Sequence, residues 1–353
     1  MEDPSRDAVA QQSDSCHAPI KTTLLHNCYV DLTSLRSHND RTVLRLVRSG
    51  ALSRASIAAE AGLTPQAVSK IVARLISAGL LEETGAVRDG GRGKPRMSLQ
   101  LAAGGAFAYG AYVDRDELRV VRLDLTGEVV SASVVPLAPM FTPSDVLEVL
   151  ASLISADEKV LGLGIGIAGP LNSRDGVVAP NGLPGWSGVP LRELAEERLG
   201  LPVVVDKDTN AAVLAEAWRR PMEDAALVLV GTGLGVGLLL GGEVHRGARS
   251  GAGELGHTTI QLDGPLCVCG RRGCVEAVHA VASGEQAARV LAAAVQNLVQ
   301  LLDLDQIVLS GRKVLESPEL YLRAMPGLDV SVTSYGADLV PVGAGLLVLG
   351  ELF

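Results

Sequence analysis

The stretch from Gly251 to Glu276 reads GAGELGHTTIQLDGPLCVCGRRGCVE. Cys267, Cys269 and Cys274 fall within eight residues, and His257 stands ten residues before the first of them. One imidazole and three thiolates make a closed tetrahedral set, the kind that holds a structural Zn2+ ion rather than a catalytic one. The glycines between them let the backbone turn tightly enough for three sulfurs to face one point. Three unrelated buried thiols would be the alternative, but C-x-C-G-x-x-G-C behind a histidine is a ligand spacing. Glu254 and Glu276 flank the four ligands, so a zinc knot here predicts a polar pocket beside it.

Outward from that stretch, composition narrows the class. A chain of 353 residues has room for two or three domains, each with its own core. With 47% hydrophobic residues and 40 glycines, it fits an α/β protein with many tight turns. The net charge of −9 argues against a uniformly nucleic-acid-coated surface. It hides an asymmetry: eleven Lys and Arg stand against five Asp and Glu between Arg36 and Ser98, so this region carries +6 and the remainder −15. A basic module on an acidic body predicts that the small part meets a polyanion. Five cysteines, three of them assigned to metal, fit a reducing compartment. The polar N-terminus shows no signal peptide, and the apolar window from Ala225 to Gly242 is broken by glycines into strand, turn and strand. Cytoplasmic localisation without a membrane partner is expected. Residues 1–33 are expected to be a flexible leader in which Cys16, His17, His26 and Cys28 are incidental.

Residues 34–101 read as a winged helix-turn-helix DNA-binding domain. Three amphipathic helical runs are predicted, over Ser37 to Arg48, Ser53 to Ala61, and from Thr64-Pro65 to Gly79. In the third, Thr64 is a good N-cap and Pro65 suits the first helical position. Ala67, Val68, Ile71, Leu75 and Ile76 repeat at three and four and predict a buried face, leaving Gln66, Ser69, Lys70 and Arg74 off it. A following Gly-rich hairpin, AVRDGGRGKPRMSLQL, reads as a basic wing. Gln66, Ser69 and Lys70 are the expected base-edge readers in the major groove of double-stranded operator DNA. Arg74, Arg92, Lys94 and Arg96 are expected on phosphates or in the minor groove.

Residues 104–353 alternate strands and helices. The predicted elements are strands Phe107 to Val113, Leu118 to Leu125 and Glu128 to Val135, helix Pro143 to Ile154, and strand Val160 to Ile167. Helix Leu191 to Leu199, strand Pro202 to Val205, helix Asn210 to Trp218, and strands Leu227 to Val230 and Gln306 to Leu309 follow. The repeated strand and glycine-turn units predict two similar lobes closing on a cleft. Gly231-Thr232-Gly233-Leu234-Gly235-Val236-Gly237 fits a phosphate-cradling loop or a hairpin between buried strands equally well.

GTGLGVG (231–237), GAGELGH (251–257) and CVCGRRGCVE (267–276), in that order and spacing, resemble the ROK family of sugar kinases and repressors. GIGIAGP (164–170), APNGLPGW (179–186) and DKDTNAA (206–212) add to the likeness, which spans residues 36–353. The resemblance implies a two-lobed actin-like/hexokinase-like (ribonuclease H-like) α/β body, as a homodimer or homotetramer. The winged helix is similar to the extension that marks the family's repressors, including the xylose and N-acetylglucosamine types. It also implies that Asp208 occupies the kinase base position. Asn181, Glu254, His257 and Glu276 match sugar-contacting positions, with His257 shared between zinc and sugar. Lys207 replaces a sugar-contacting Asn; it either meets a phosphate on a sugar-phosphate effector or points to solvent.

One departure separates kinase from regulator. Family kinases open the body with an Asp-x-Gly-Gly-Thr phosphate motif, where this chain has Gly110-Ala111-Tyr112-Val113-Asp114-Arg115-Asp116-Glu117 and lacks the motif's glycines. Carboxylates there would repel nucleotide phosphates. The stretch after Glu276 looks short, which suggests a reduced nucleotide-facing subdomain, and Ser310-Gly311 and Gly343-Ala344-Gly345 read as family-like turns. The preferred expectation is a non-catalytic sugar-responsive repressor of carbohydrate genes, with no catalytic residue and Asp208 as a vestigial base. A ROK sugar kinase carrying a DNA-binding arm is the alternative, and a protein-interaction platform a weaker third.

Overall fold

A computed structural model describes residues 38–50, 53–87, 96–155, 157–180 and 183–353. Helix α1 (His38–Arg48) is followed by α2 (Arg54–Ala61) and α3 (Pro65–Ser77). Ser53 and Ser56 form a reciprocal capping box on α2, and Gly62 ends that helix in the left-handed conformation that glycine adopts without strain. The Thr64 hydroxyl accepts from the Ala67 amide at 3.2 Å and starts α3 one turn later. Val68, Ile71, Val72 and Leu75 form the buried stripe of α3, with Ala67 and Ile76 at its margins. Val72, not predicted inside, completes the stripe at the i+4 position from Val68. Strands β1 (Leu81–Val87) and β2 (Arg96–Leu101) pair antiparallel as a hairpin. Its tip, with Arg92 and Lys94, lies outside the described residues, as do the Arg96 side chain and the leader.

The first lobe contains β3 (Phe107–Val113), β4 (Glu117–Asp124), β5 (Val129–Pro136), α4 (Pro143–Leu153) and β6 (Val160–Ile167). The short pair β7 (Leu171–Asn172) and β8 (Val177–Val178) leads to α5 (Leu191–Leu199) and β9 (Val203–Lys207). Helix α6 (Asp208–Arg219) crosses to the second lobe. There β10 (Ala225–Val230), β11 (Leu234–Leu240) and β12 (Glu243–Val244) precede α7 (Val275–Val281), α8 (Gly284–Leu302) and β13 (Gln306–Ser310). The chain ends through α9 (Arg312–Glu316), α10 (Pro318–Arg323), β14 (Val330–Val332) and α11 (Leu339–Leu349).

The sheets run β5-β4-β3-β6-β9 and β12-β11-β10-β13-β14. In each, three antiparallel strands join two parallel ones in the same order, so the expected pair of similar lobes is a repeated topology. Trp186 of the APNGLPGW stretch is fully buried in the first lobe; its indole donates to the Phe141 carbonyl at 3.2 Å. No helix among the described residues is long and apolar enough to cross a membrane.

Several boundaries differ from the sequence reading. Strand β9 continues through Lys207 and α6 starts at Asp208 with no loop between them. The buried Asp206 carboxylate makes this junction by accepting from the Lys207 amide and the Asn210 side-chain amide, each at 2.8 Å. Of the two readings open for the glycine run 231–237, the hairpin holds: Gly231-Thr232-Gly233 turns, and Gly235 and Gly237 lie inside β11. A Cβ on Gly237 would stand 2.0 Å from the Thr209 carbonyl oxygen, so this glycine seats α6 against the sheet. Gly343-Ala344-Gly345 is not a turn but the interior of α11. A Cβ on Gly343 would meet the Ala211 carbonyl oxygen at 1.8 Å, because α11 and α6 touch backbone to backbone. The segment after Glu276 is filled by α7 and the 19-residue α8 before β13 begins.

Candidate sugar cleft and metal centre

The cleft opens where the two sheets face each other. The end of β3 brings Tyr112 and Asp114, the β9–α6 junction brings Lys207 and Asp208, and the β10–β11 hairpin brings Gly231 and Gly233. Glu254, His257 and Glu276 close the far wall, so five of the six predicted sugar contacts line one pocket. Asn181 lies outside the described residues.

Lys207 is 3% exposed, which corrects the solvent-pointing alternative. Its Nζ donates to the Ala252 carbonyl and to Glu254 Oε1, both at 2.8 Å. The ammonium is thus already matched by a carboxylate within the wall. Glu276 Oε2 accepts from the Leu234 amide at 2.9 Å and is thereby held at the hairpin. Asp208 is half-buried, and its Oδ1 accepts from the Thr209 amide at 2.7 Å. Burial raises its pKa to about 6; Asp114 and Glu254 push in the same direction, while Lys207 and the Thr209 amide oppose. Tyr112 is held well above the usual phenol range by burial first, then by the Asp208 and Asp114 carboxylates.

A raised carboxylic pKa opposes folding once the group must ionise. The stabilising contribution of Asp208 is fully present below the unfolded value near 4 and is lost as pH rises through about 6. Asp208→Asn should therefore raise the melting temperature at pH 7.5, by an amount worth roughly 2–3 kcal/mol at most, and leave it unchanged near pH 4. Thermal denaturation at the two pH values measures this; an equal effect at both would contradict it.

Beyond Tyr112 and Gly231 the cleft continues into a second cavity of about 420 Å³. Here the Asp114-Arg115-Asp116-Glu117 segment faces α9. Arg312 donates to both oxygens of Asp116, at 3.0 and 3.1 Å, and stands 3.9 Å from Asp114. Thr232 reaches Asp114 at 3.4 Å. These contacts clasp the lobes across the cleft; the partners lie 196 positions apart, so no local pattern announces them.

The knot gathers as its spacing predicted. Ligand atoms of His257, Cys267, Cys269 and Cys274 all lie within 4.8 Å of one another. Cys269 and Cys274 sulfurs are 3.6 Å apart, and Cys267 Sγ is 3.5 Å from His257 Nδ1. Tetrahedral zinc requires about 3.8 Å between sulfurs and about 3.6 Å from sulfur to nitrogen, so the four residues fit the ion. Nδ1 faces the sulfurs, and His257 also lines the cleft, which leaves Nε2 as the second face of the ring. Gly273 permits the fold-back: its Cβ would collide with the Gln261 carbonyl oxygen at 1.4 Å.

On α3, Gln66, Ser69 and Lys70 are exposed. Arg74 has an intramolecular partner: its guanidinium bonds the fully buried Asp40 of α1. Sequence reasoning also missed Arg246, whose Nε donates to Asp206 at 2.8 Å and steadies the β9–α6 junction. It missed the contacts that the exposed Arg45 and Arg48 make with the body.

The sequence profile of the ROK family matches residues 110–285. A xylose repressor of Caldicellulosiruptor bescii is 31% identical over 258 residues, 69% of this chain and 64% of the repressor, so the match spans under two thirds of that relative. A glucokinase of Streptomyces coelicolor is 33% identical over 240 residues, 65% of this chain and 74% of the kinase. A solved ROK family transcriptional regulator, a homolog of the E. coli MLC protein, superposes with a TM-score of 0.71 at 22% identity, covering 89% of this chain and 96% of its own; that likeness concerns the fold. With its paired five-stranded lobes, its cleft and its knot of one histidine and three cysteines, the chain belongs to the ROK family.

Proposed function

We propose that the protein is a sugar-responsive, DNA-binding transcriptional repressor of carbohydrate genes in the cytoplasm. One observation carries this reading: a three-helix unit with a polar, exposed α3 face shares a continuous core with a sugar-kinase-like cleft. A module for a polyanion is thus built onto a module for a polyol. Gln66, Ser69 and Lys70 would read base edges, and the wing residues Arg92, Lys94 and Arg96 would hold phosphates or the minor groove. Arg74, bonded to Asp40, would serve the phosphates only with the part of its guanidinium that faces out. A homodimer or homotetramer would place two α3 helices on half-sites one helical turn, or a multiple, apart.

In the cleft, Asn181, Asp208, Glu254, His257 and Glu276 would bind the sugar hydroxyls, since each carboxylate can accept from two of them. Lys207 would act mainly through Glu254, whose oxygen it holds, which favours an unphosphorylated sugar over a sugar phosphate. A structural Zn2+ ion on His257, Cys267, Cys269 and Cys274 would fix the wall that carries three of these residues. Xylose, named for several relatives, is the first ligand to test.

The protein is proposed not to be an enzyme. Asp114, Asp116 and Glu117 stand where a nucleotide-binding kinase needs bare backbone, and Arg312 is already paired to Asp114 and Asp116. The retained Asp208 and the glucokinase relatives favour the second reading, a kinase with a DNA-binding arm. Coupled ATP turnover across a hexose, pentose and amino-sugar panel separates the two. Flat traces are expected; steady turnover with any sugar would favour the kinase.

A further inference from the structure

We propose that α6 couples the sugar cleft to the DNA-binding unit, with Arg48 and Trp218 as the positioning pair at its far joint. This rests on the sensor reading above. The first turn of α6 is in the cleft, where Asp208 and Thr209 line the pocket. Ten residues after Asp208, about 15 Å along the axis, Trp218 in its last turn meets α1.

The joint is specific. The Arg48 guanidinium lies 3.8 Å from the centroid of the Trp218 ring, and its Nη1 donates to the Trp218 carbonyl at 3.5 Å. Trp218 in turn donates from Nε1 to the Thr126 carbonyl at 3.1 Å and takes the Phe353 ring edge-on at 5.4 Å. Arg45, one turn earlier on α1, donates from Nε and Nη2 to the Phe353 carbonyl at 3.3 and 3.0 Å. Two arginines of the basic module thereby contact the body while staying exposed.

The helix between the two ends has little freedom to absorb a displacement. Its backbone touches β11 at Gly237 and α11 at Gly343 without intervening side chains. Thr333 donates to Glu216 at 2.6 Å, and the Tyr335 hydroxyl donates to the Ala215 carbonyl at 3.1 Å. A close-packed rod moves as a unit. The guanidinium is attracted to the indole face, which holds α1 to the end of α6 at this joint. A shift of Asp208 toward a bound sugar would therefore appear at Arg48 and change how α3 is presented.

The test uses the full chain, an operator fragment selected from random duplex DNA by the protein itself, and D-xylose and D-glucose as probes. In the wild type, sugar should change operator Kd by at least about fivefold, and operator should change sugar Kd by the same factor. Trp218→Leu and Arg48→Gln should bring that ratio to within about twofold while each Kd measured alone stays within about threefold. Arg48→Lys, which keeps a cation over the ring, should restore part of the ratio. Wild-type coupling in both Trp218→Leu and Arg48→Gln would overturn the joint and leave the sensor reading standing. Absence of any sugar effect in the wild type would instead count against the sensor reading. The joint is then judged by the 19F resonance of Trp218 in 5-fluorotryptophan-labelled protein, assigned by its loss in Trp218→Leu. Operator binding alone should shift that resonance, and an unmoved resonance would overturn the proposal.

Discussion

Removing metal from the purified protein with a strong chelator is expected to lower its melting temperature by about 10 °C and to weaken sugar binding by about 10- to 100-fold. Both effects follow from where the four ligands sit. His257 ends the short turn Leu255–His257, three residues after Glu254, and Cys274 caps α7 two residues before Glu276. Releasing the ligands frees the loop between them and with it both carboxylates of the wall. Structural zinc contributes about 10–16 kcal/mol to small domains that depend on it entirely. Here a large core persists, so loss of only some 3–5 kcal/mol is expected, at about 2–4 °C per kcal/mol for a body of this size. Cys274→Ser should be the harsher variant, because Cys274 is fully buried; Cys269 is exposed and its loss milder. Elemental analysis with thermal denaturation decides the matter. Substoichiometric zinc in fresh protein, or an unmoved melting temperature after its removal, would refute a structural ion.

The second large effect concerns α3. Replacing Gln66, Ser69 and Lys70 together by Ala should abolish specific operator binding, since each good base contact is worth about 1–3 kcal/mol. All three are exposed, so the melting temperature should be nearly unchanged. Taken singly, the variants should separate by kind. Gln66→Ala should relax discrimination at one base pair, whereas a phosphate contact would weaken all sequences alike and reduce the salt slope by about one. Anisotropy titrations over a salt series measure both. Retained specificity in the triple variant would move the recognition surface elsewhere.

How much of this was legible in the chain depended on distance along it. The four residues that could hold a metal occupy a span of 18 residues, and their gathering is legible through spacing alone. Helix caps at Ser53 and Thr64 were equally local, and α2 and α3 begin at them. The glycines misled where their reason was remote. The run ending at Gly237 left a phosphate loop and a hairpin equally open and Gly343 suggested a turn, yet both glycines are set by the close approach of α6, whose contact with them no local window reveals. Lys207 left two readings open because its partner, Glu254, is 47 residues away. The clasp of Arg312 on Asp116 was invisible for the same reason, although the acidic segment it answers had been recognised as unsuited to phosphate. Arg45, Arg48 and Arg74 all count toward the basic surplus between Arg36 and Ser98. Asp40, Trp218 and Phe353 engage them while they stay exposed, so part of the surplus of six charges already has partners within the chain.

Occupancy of the cleft is expected to alter contact with DNA. The most direct measurement is the operator affinity of the full chain, by anisotropy, with and without saturating D-xylose and then the wider sugar panel, in the absence of ATP. At least one unphosphorylated sugar should change Kd by about fivefold or more, and Glu254→Gln should blunt the response. An operator Kd indifferent to every sugar in the panel would contradict the account and turn the cleft into something other than a sensor.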